Sequence, residues 1–202
     1  MRQLRLSNKI YLDQIFPMSI EIEKKYRLDE KTRAEVTARL SELKAEFMGD
    51  AFEENYLFRG GDLKKRAAVL RLRKIGDRTI LTYKERIGHD SGIKQRIEHE
   101  TEIADAAAME CIIESLGYTL NAVYEKRRQT WIFLDVVITL DELPFGLYME
   151  IEGEVDAIEE AERMLEILDL KVEPRGYPRL AIKYGTLANG VCEARFDQGG
   201  SL

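Results

Sequence analysis

The chain has 202 residues, 45% hydrophobic and 34% charged, which is enough apolar side chain for one substantial packed domain. With 31 basic against 37 acidic residues the net charge is -6, which excludes a protein that coats nucleic acid with its whole surface but leaves room for a local basic pocket. Two cysteines, Cys111 and Cys192, do not make a disulfide framework and fit a reducing, cytoplasmic setting.

The N-terminal "KIYLDQIFPM" is broken by Asp13 and Pro17, and no small-residue cleavage site follows. Residues 1–17 therefore read as an extension outside the fold, and no run reaches the roughly 18 apolar residues of a membrane span. Residues 19–28, "SIEIEKKYRL", alternate: Glu21, Glu23, Lys25 and Arg27 on one face, Ile20, Ile22, Lys24, Tyr26 and Leu28 on the other. That is a strand with one almost wholly charged face. Asp29 opens a helical pattern over 29–47, with Val36, Leu40, Leu43 and Phe47 in register and Gly49-Asp50 as its stop. "AFEENYLFRG" is strand-like. "AVLRLRKI", "RTILTYKER" and "KQRIEHETEI" follow as three strands, the first two joined by a Gly76-Asp77 hairpin turn, the third preceded by a mobile-looking "HDSG" loop at 89–92.

"ADAAAMECIIESLGY" predicts a second helix, with Ala108, Cys111, Ile112 and Leu116 on its apolar side. "NAVYEKRRQTW", "FLDVVITLDEL" and "LYMEIEGEV" read as three further strands. "DAIEEAERMLEILDL" reads as a third helix and "PRLAIKYG" as a short last one. Residues 185–202 read as a flexible C-terminal tail. His89 and His99 have no partner at zinc-ligand spacing and are taken as surface or strand residues.

The opening pattern recurs. Arg71 and Arg73 share a face, as do Thr82, Lys84 and Arg86; then Arg96, Glu98, Glu100 and Glu102; then Lys126 and Arg128; then Asp135, Thr139 and Asp141; then Glu150, Glu152 and Glu154. Eight strands each have one polar and one apolar face. An antiparallel sheet with a wet charged side would show this. A wet side, however, would mix Thr, Ser, Gln and Lys, whereas here Arg and Glu recur strand by strand. Closure into an eight-stranded barrel would turn the charged faces inward and leave the apolar faces to the helices. Arg grips planar oxyanions through paired N–H donors. Oxygen-only acid sets suit Mg²⁺ or Mn²⁺. A triphosphate, with about four negative charges, needs both a set of cations and a metal. No G-x-x-x-x-G-K-[ST] loop occurs, and no Ser or Cys nucleophile arrangement is evident.

Glu21-Ile22-Glu23-Lys24-Lys25 matches the ExExK signature that opens the CYTH superfamily, the triphosphate tunnel enzymes. "NYLF", "LRLR" at 70–73, "TYK" at 82–84, "RIEHE" at 96–100, "KRR" at 126–128, "LDE" at 140–142 and "MEIE" at 149–152 follow in matching order. Residues 18–184 resemble that domain. The resemblance implies an α+β fold: an eight-stranded antiparallel tunnel with helices outside, acting on a triphosphate with a divalent metal. Members include thiamine, inorganic and RNA triphosphatases and class IV adenylyl cyclases. By position, Glu21, Glu23, Glu150 and Glu152 look like metal ligands, with Asp141 near them. Lys25, Arg71, Arg73, Lys84, Arg96, Lys126 and Arg128 look like the phosphate-binding set, and Glu21, Glu23 and Lys25 like the catalytic group. Glu98 and Glu100 look like tunnel-lining residues. Lys183 is read either as closing one mouth or as an exposed helix lysine.

The chain departs from the family in two places. Tyr56-Leu57-Phe58-Arg59-Gly60-Gly61 replaces the Tyr-Phe-Asp-Thr-Pro run of many members, and the His-Phe signature of the best-studied bacterial cyclases is missing. The expected activity is triphosphate hydrolysis with Mg²⁺ or Mn²⁺, with cyclic AMP formation and non-catalytic polyphosphate or nucleotide binding as alternatives. The expected partner is a small-molecule triphosphate, with no membrane and no extended nucleic acid; homodimer formation is left open.

Overall fold

The computed structural model describes residues 19–90 and 93–197. The predicted extension over 1–17 lies outside them. In chain order the elements are β1 (Ser19–Leu28), α1 (Glu30–Glu42), β2 (Glu46–Arg59), β3 (Ala68–Ile75), β4 (Arg78–Asp90), β5 (Ile93–Ile103) and α2 (Ala106–Ser115). They continue as β6 (Thr119–Phe133), β7 (Val136–Leu143), β8 (Gly146–Glu152), α3 (Val155–Met164), α4 (Tyr177–Tyr184), β9 (Thr186–Ala188) and β10 (Val191–Ala194).

Strands β2-β3-β4-β5-β1-β8-β7-β6 lie side by side, and β6 pairs back onto β2, closing an antiparallel eight-stranded barrel. Alternation decides which side chains face inward. Glu21, Glu23 and Lys25 of β1 point into the barrel, while Tyr26 and Leu28 point out. There they join Ile138, Leu140, Met149 and Ile151 of the wall, Val36 and Leu40 of α1, and Ile158 and Ala161 of α3. The largest apolar core is therefore outside the barrel, under the helices. Asp29 caps α1 by accepting from the Thr32 N–H at 2.7 Å, and Asp105 caps α2 from the Ala108 N–H at 2.9 Å. Gly76 takes φ +55° in the β3–β4 hairpin, where a Cβ would be strained. Among the described residues no helix is long and apolar enough to cross a membrane.

Several sequence expectations are corrected. Helix α1 stops at Glu42, and Lys44 turns left-handed at φ 56°. Phe47, at helical spacing, instead sits in β2 opposite Trp131, with ring centroids 4.7 Å apart. Helix α2 carries two apolar stripes. It packs Met109 and Ile113 on Phe58 and Leu72, leaving Ile112 and Leu116 exposed. Leu134 and Asp135 form the β6–β7 turn, so Asp135 is not an inner-face residue. Strand β4 runs on to Asp90, which pairs with Ile93, so the predicted loop loses residues 89 and 90; residues 91–92 lie outside the described ones.

A flexible tail from 185 does not describe residues 186–194. There β10 pairs in parallel with Ala122–Tyr124 of β6, and β9 pairs with β10. Just beyond, Glu125 of β6, buried at 4% exposure, accepts from the Phe196 N–H at 2.8 Å and from Arg195 at 3.1 Å. Sequence alternation is weak here because the strands have three and four residues. Truncation after Gly185 removes these donors together with the β10 pairing on β6. It should destabilise the fold by about 3 kcal/mol, read as a fall in urea midpoint, whereas Arg195→Ala alone should cost about 1 kcal/mol.

Candidate active site

The barrel encloses a cavity of about 490 Å³. Its wall carries ten basic side chains: Lys25, Lys64, Arg71, Arg73, Lys84, Arg86, Arg96, Lys126, Arg128 and Arg179. Three carboxylates, Glu21, Glu23 and Glu150, face them. The charge excess is positive in an enclosed space, inside a chain whose net charge is negative.

The register brings opposite charges together. Glu23 lies beside Lys94 and Arg96, each 3.0 Å away. Glu21 accepts from Lys84 at 2.8 Å, and the same ammonium reaches Glu98 at 3.0 Å. Glu150 takes Lys25 at 3.0 Å and Arg128 at 2.7 Å. Arg128 also forks onto Asp141 with bonds of 2.7 and 2.6 Å. Lys126 meets Glu53 at 3.0 Å, and Arg73 meets Glu100 at 3.0 Å. Burial and the Glu150 charge push the Glu23 carboxyl up, but Arg96, Lys94 and Lys25 outweigh them and hold it at about 2. Partial burial pushes the Glu150 carboxyl up too, but Lys25, Arg128 and Lys126 hold it well below the usual carboxylate range. Burial pulls the Lys126 and Lys94 ammonium groups down, reinforced by Arg128 and Lys25 respectively.

The predicted phosphate-binding residues all line this cavity, as do Glu21, Glu23 and Glu150. Asp141 does not. Its side chain is fully buried behind Arg128 and accepts from the Tyr177 hydroxyl at 2.7 Å. Glu152 sits opposite Glu23 in the β1–β8 register, outside the cavity wall. Glu98 and Glu100 stand behind Lys84 and Arg73, at the sides of the cavity rather than in its lining. Lys183 is exposed; Arg179 of the same helix lines the cavity instead.

Sequence reasoning missed three contributors. Lys94, wholly buried, alternates in phase with Arg96 and Glu98, a signal that was there to read. Tyr177 and Arg179 come from α4, whose helical pattern says nothing about a barrel. The Tyr177 ring lies 3.5 Å under the Lys25 ammonium, so one side chain supports Lys25 through its face and Asp141 through its hydroxyl.

Among the described residues no three Asp, Glu, His or Cys side chains converge as a ready-made metal cage. The acid chemistry nevertheless fits Mg²⁺ or Mn²⁺. Mg²⁺ is held by one or two carboxylates plus substrate phosphates rather than by an all-protein cage. Glu23 and Glu150 are ionised and feel each other's charge across the cavity.

Burial, backed by the charges of Glu21 and Glu100, pushes the Glu98 carboxyl up from 4.5 to about 7 against the pull of Lys84. The folded state therefore binds more protons than the unfolded chain between those two values. Stability from this group is present at low pH and lost as pH rises through about 7, by on the order of 3 kcal/mol. Glu98→Gln should therefore raise the melting temperature relative to wild type at pH 8 and do little at pH 5. An equal effect at both would show that Glu98 does not titrate there.

A closed antiparallel barrel, wrapped by helices and lined by basic side chains facing carboxylates, defines a tunnel-type barrel protein. The chain belongs to the CYTH family: residues 19–178 match the CYTH domain. Two Pyrococcus horikoshii OT3 structures are similar. PH1819 is 28% identical with a TM-score of 0.68, over 81% of this chain and 98% of that one. PH1012 is 27% identical with a TM-score of 0.68, over 79% and 98%. HpAC1 from Hippeastrum, a candidate adenylyl cyclase described with a dominant triphosphatase activity, shares the fold. It is 20% identical with a TM-score of 0.63, over 80% of this chain and 94% of its own. No curated protein matches the chain.

Proposed function

We propose that the protein hydrolyses a triphosphate with Mg²⁺ or Mn²⁺. The observation that carries this reading is the enclosed cavity with ten basic side chains against three carboxylates. Lys25, Arg71, Arg73, Lys84, Arg96, Lys126 and Arg128 would bind the phosphate chain and hold it straight. Glu21, Glu23 and Glu150 would hold the cation. When bound, the cation would screen phosphate oxygens and polarise the terminal phosphorus. Water attacks that phosphorus in line; an O–P bond forms, the bridging P–O bond breaks, the diphosphate end leaves with its electron pair, and the water's proton passes to a phosphate oxygen or to solvent. Lys25, Arg128 and Lys126, already aimed at this space, stabilise the charge that gathers on the transferring and leaving oxygens. Tyr177 keeps Lys25 and Arg128 in place through its ring and through Asp141.

The test is incubation with Mg²⁺ or Mn²⁺ and, separately, tripolyphosphate, thiamine triphosphate and ATP. Orthophosphate release that stops with EDTA is the expected result. Cyclic AMP and diphosphate from ATP would make the protein a cyclase instead. Binding without product would make it a polyphosphate- or nucleotide-binding module.

A further inference from the structure

We infer that Lys94 is a specificity-determining residue for the cation: it occupies one oxygen of Glu23 and so favours Mg²⁺ or Mn²⁺ over Ca²⁺. The inference rests on the reading of Glu23 as a cation ligand.

The three cavity acids differ in what their oxygens already hold. Both oxygens of Glu21 accept from Lys84, at 2.8 and 2.9 Å. Those of Glu150 are divided between Lys25 at 3.0 Å and Arg128 at 2.7 Å. On Glu23 both donors fall on one atom. Lys94 and Arg96 each reach Oε1 at 3.0 Å, and among the described residues nothing donates to Oε2. Glu23 lines the cavity, so it presents a cation with one open oxygen.

The two donors on Oε1 are not equivalent. Arg96 lines the cavity and is able to turn toward an anion there. Lys94 is wholly buried and stands outside the lining. It lies directly opposite Glu23 in the β1–β5 ladder, and its one ion pair among the described residues is with Glu23. It therefore neither touches a substrate nor leaves the carboxylate, because a buried ammonium without its partner is strongly unfavourable. A carboxylate with one oxygen permanently taken coordinates through the other alone, and partners of this kind orient a metal's ligands. Mg²⁺ and Mn²⁺ take octahedral sets of single oxygens and water, which this arrangement suits. Ca²⁺ is larger, takes about six to eight oxygens, and often uses both atoms of a carboxylate.

Selectivity is the decisive readout. Deleting a positive charge acts alike on every divalent ion, so that effect cancels in a ratio of two affinities. The Mn²⁺ dissociation constant would be read from the electron paramagnetic resonance of free Mn²⁺, and that of Ca²⁺ from displacement of Mn²⁺. Both would be measured for the wild type and for Lys94→Met, which keeps length and burial. The Ca²⁺ constant divided by the Mn²⁺ constant should fall about tenfold in the variant. Tripolyphosphate affinity in EDTA should stay within about threefold of wild type, since Lys94 is not in the cavity wall. Circular dichroism checks that the variant folds. Where it does not, Lys94→Ala, which admits water to Oε1, should move the ratio the same way. An unchanged ratio in a folded variant would overturn the inference and leave Glu23 a ligand. Wild type that binds tripolyphosphate but neither ion would overturn it together with the cation role of Glu23. A shifted ratio in a protein that releases no phosphate would support the inference and defeat the hydrolase reading.

Discussion

Glu23→Gln should abolish metal-dependent triphosphate hydrolysis, by at least about a thousandfold in kcat, because it removes a charged oxygen donor while keeping the side chain's shape. The same change touches stability. Lys94 is wholly buried, and Arg96 is largely so; both lose a charge partner 3.0 Å away. A buried ammonium left unpaired costs about 3–5 kcal/mol, less here because Arg96 keeps Glu21 at 3.8 Å. The two roles separate in a Mg²⁺ titration. A ligand variant fails at all metal concentrations or needs far more metal, whereas a variant that is only unstable regains activity below its melting temperature. Turnover within about tenfold of wild type would mean that Glu23 serves only as the counter-ion of Lys94 and Arg96.

The second large effect is expected at Arg128. It closes two bonds onto Asp141, which is buried in the wall, and one onto Glu150, which is half-buried at the cavity. Arg128→Ala strands Asp141 with the Tyr177 hydroxyl at 2.7 Å and Lys126 at 3.8 Å, and leaves Glu150 to Lys25. A loss of about 3–5 kcal/mol of stability should accompany a fall of roughly a hundredfold in triphosphate affinity. Arg128→Lys tests the geometry. A point ammonium cannot fork onto two carboxylates and a phosphate together, so part of the stability should return while affinity stays low. Full recovery of affinity in the lysine variant would show that charge alone is what Arg128 contributes.

Much of the fold was legible because strand alternation has period two. In β1 the sequence of Glu21, Glu23 and Lys25 against Tyr26 and Leu28 separates inside from outside without knowledge of any partner. The same reading placed Arg71, Arg73, Lys84, Lys126, Arg128 and Glu150 on the wall that lines the cavity. It failed where two local patterns competed. Phe47 fits the pattern of a helix that ends at Glu42 because its partner, Trp131, lies on the neighbouring strand β6, distant in sequence. Ile112 fits an apolar face that α2 turns outward while Ile113 packs.

What this sequence determined by itself is the parity of each strand, and hence an inner surface of Arg, Lys and Glu, because alternation is a property of neighbouring residues. Only the tertiary structure decided who faces whom. Lys94 meets Glu23 across 71 residues, and Tyr177 meets Asp141 across 36. The register of β1 with β5, the seat of α4 at the cavity and the parallel pairing of β10 with β6 are set by barrel closure and packing. Those are sums over distant contacts, and no local pattern encodes them.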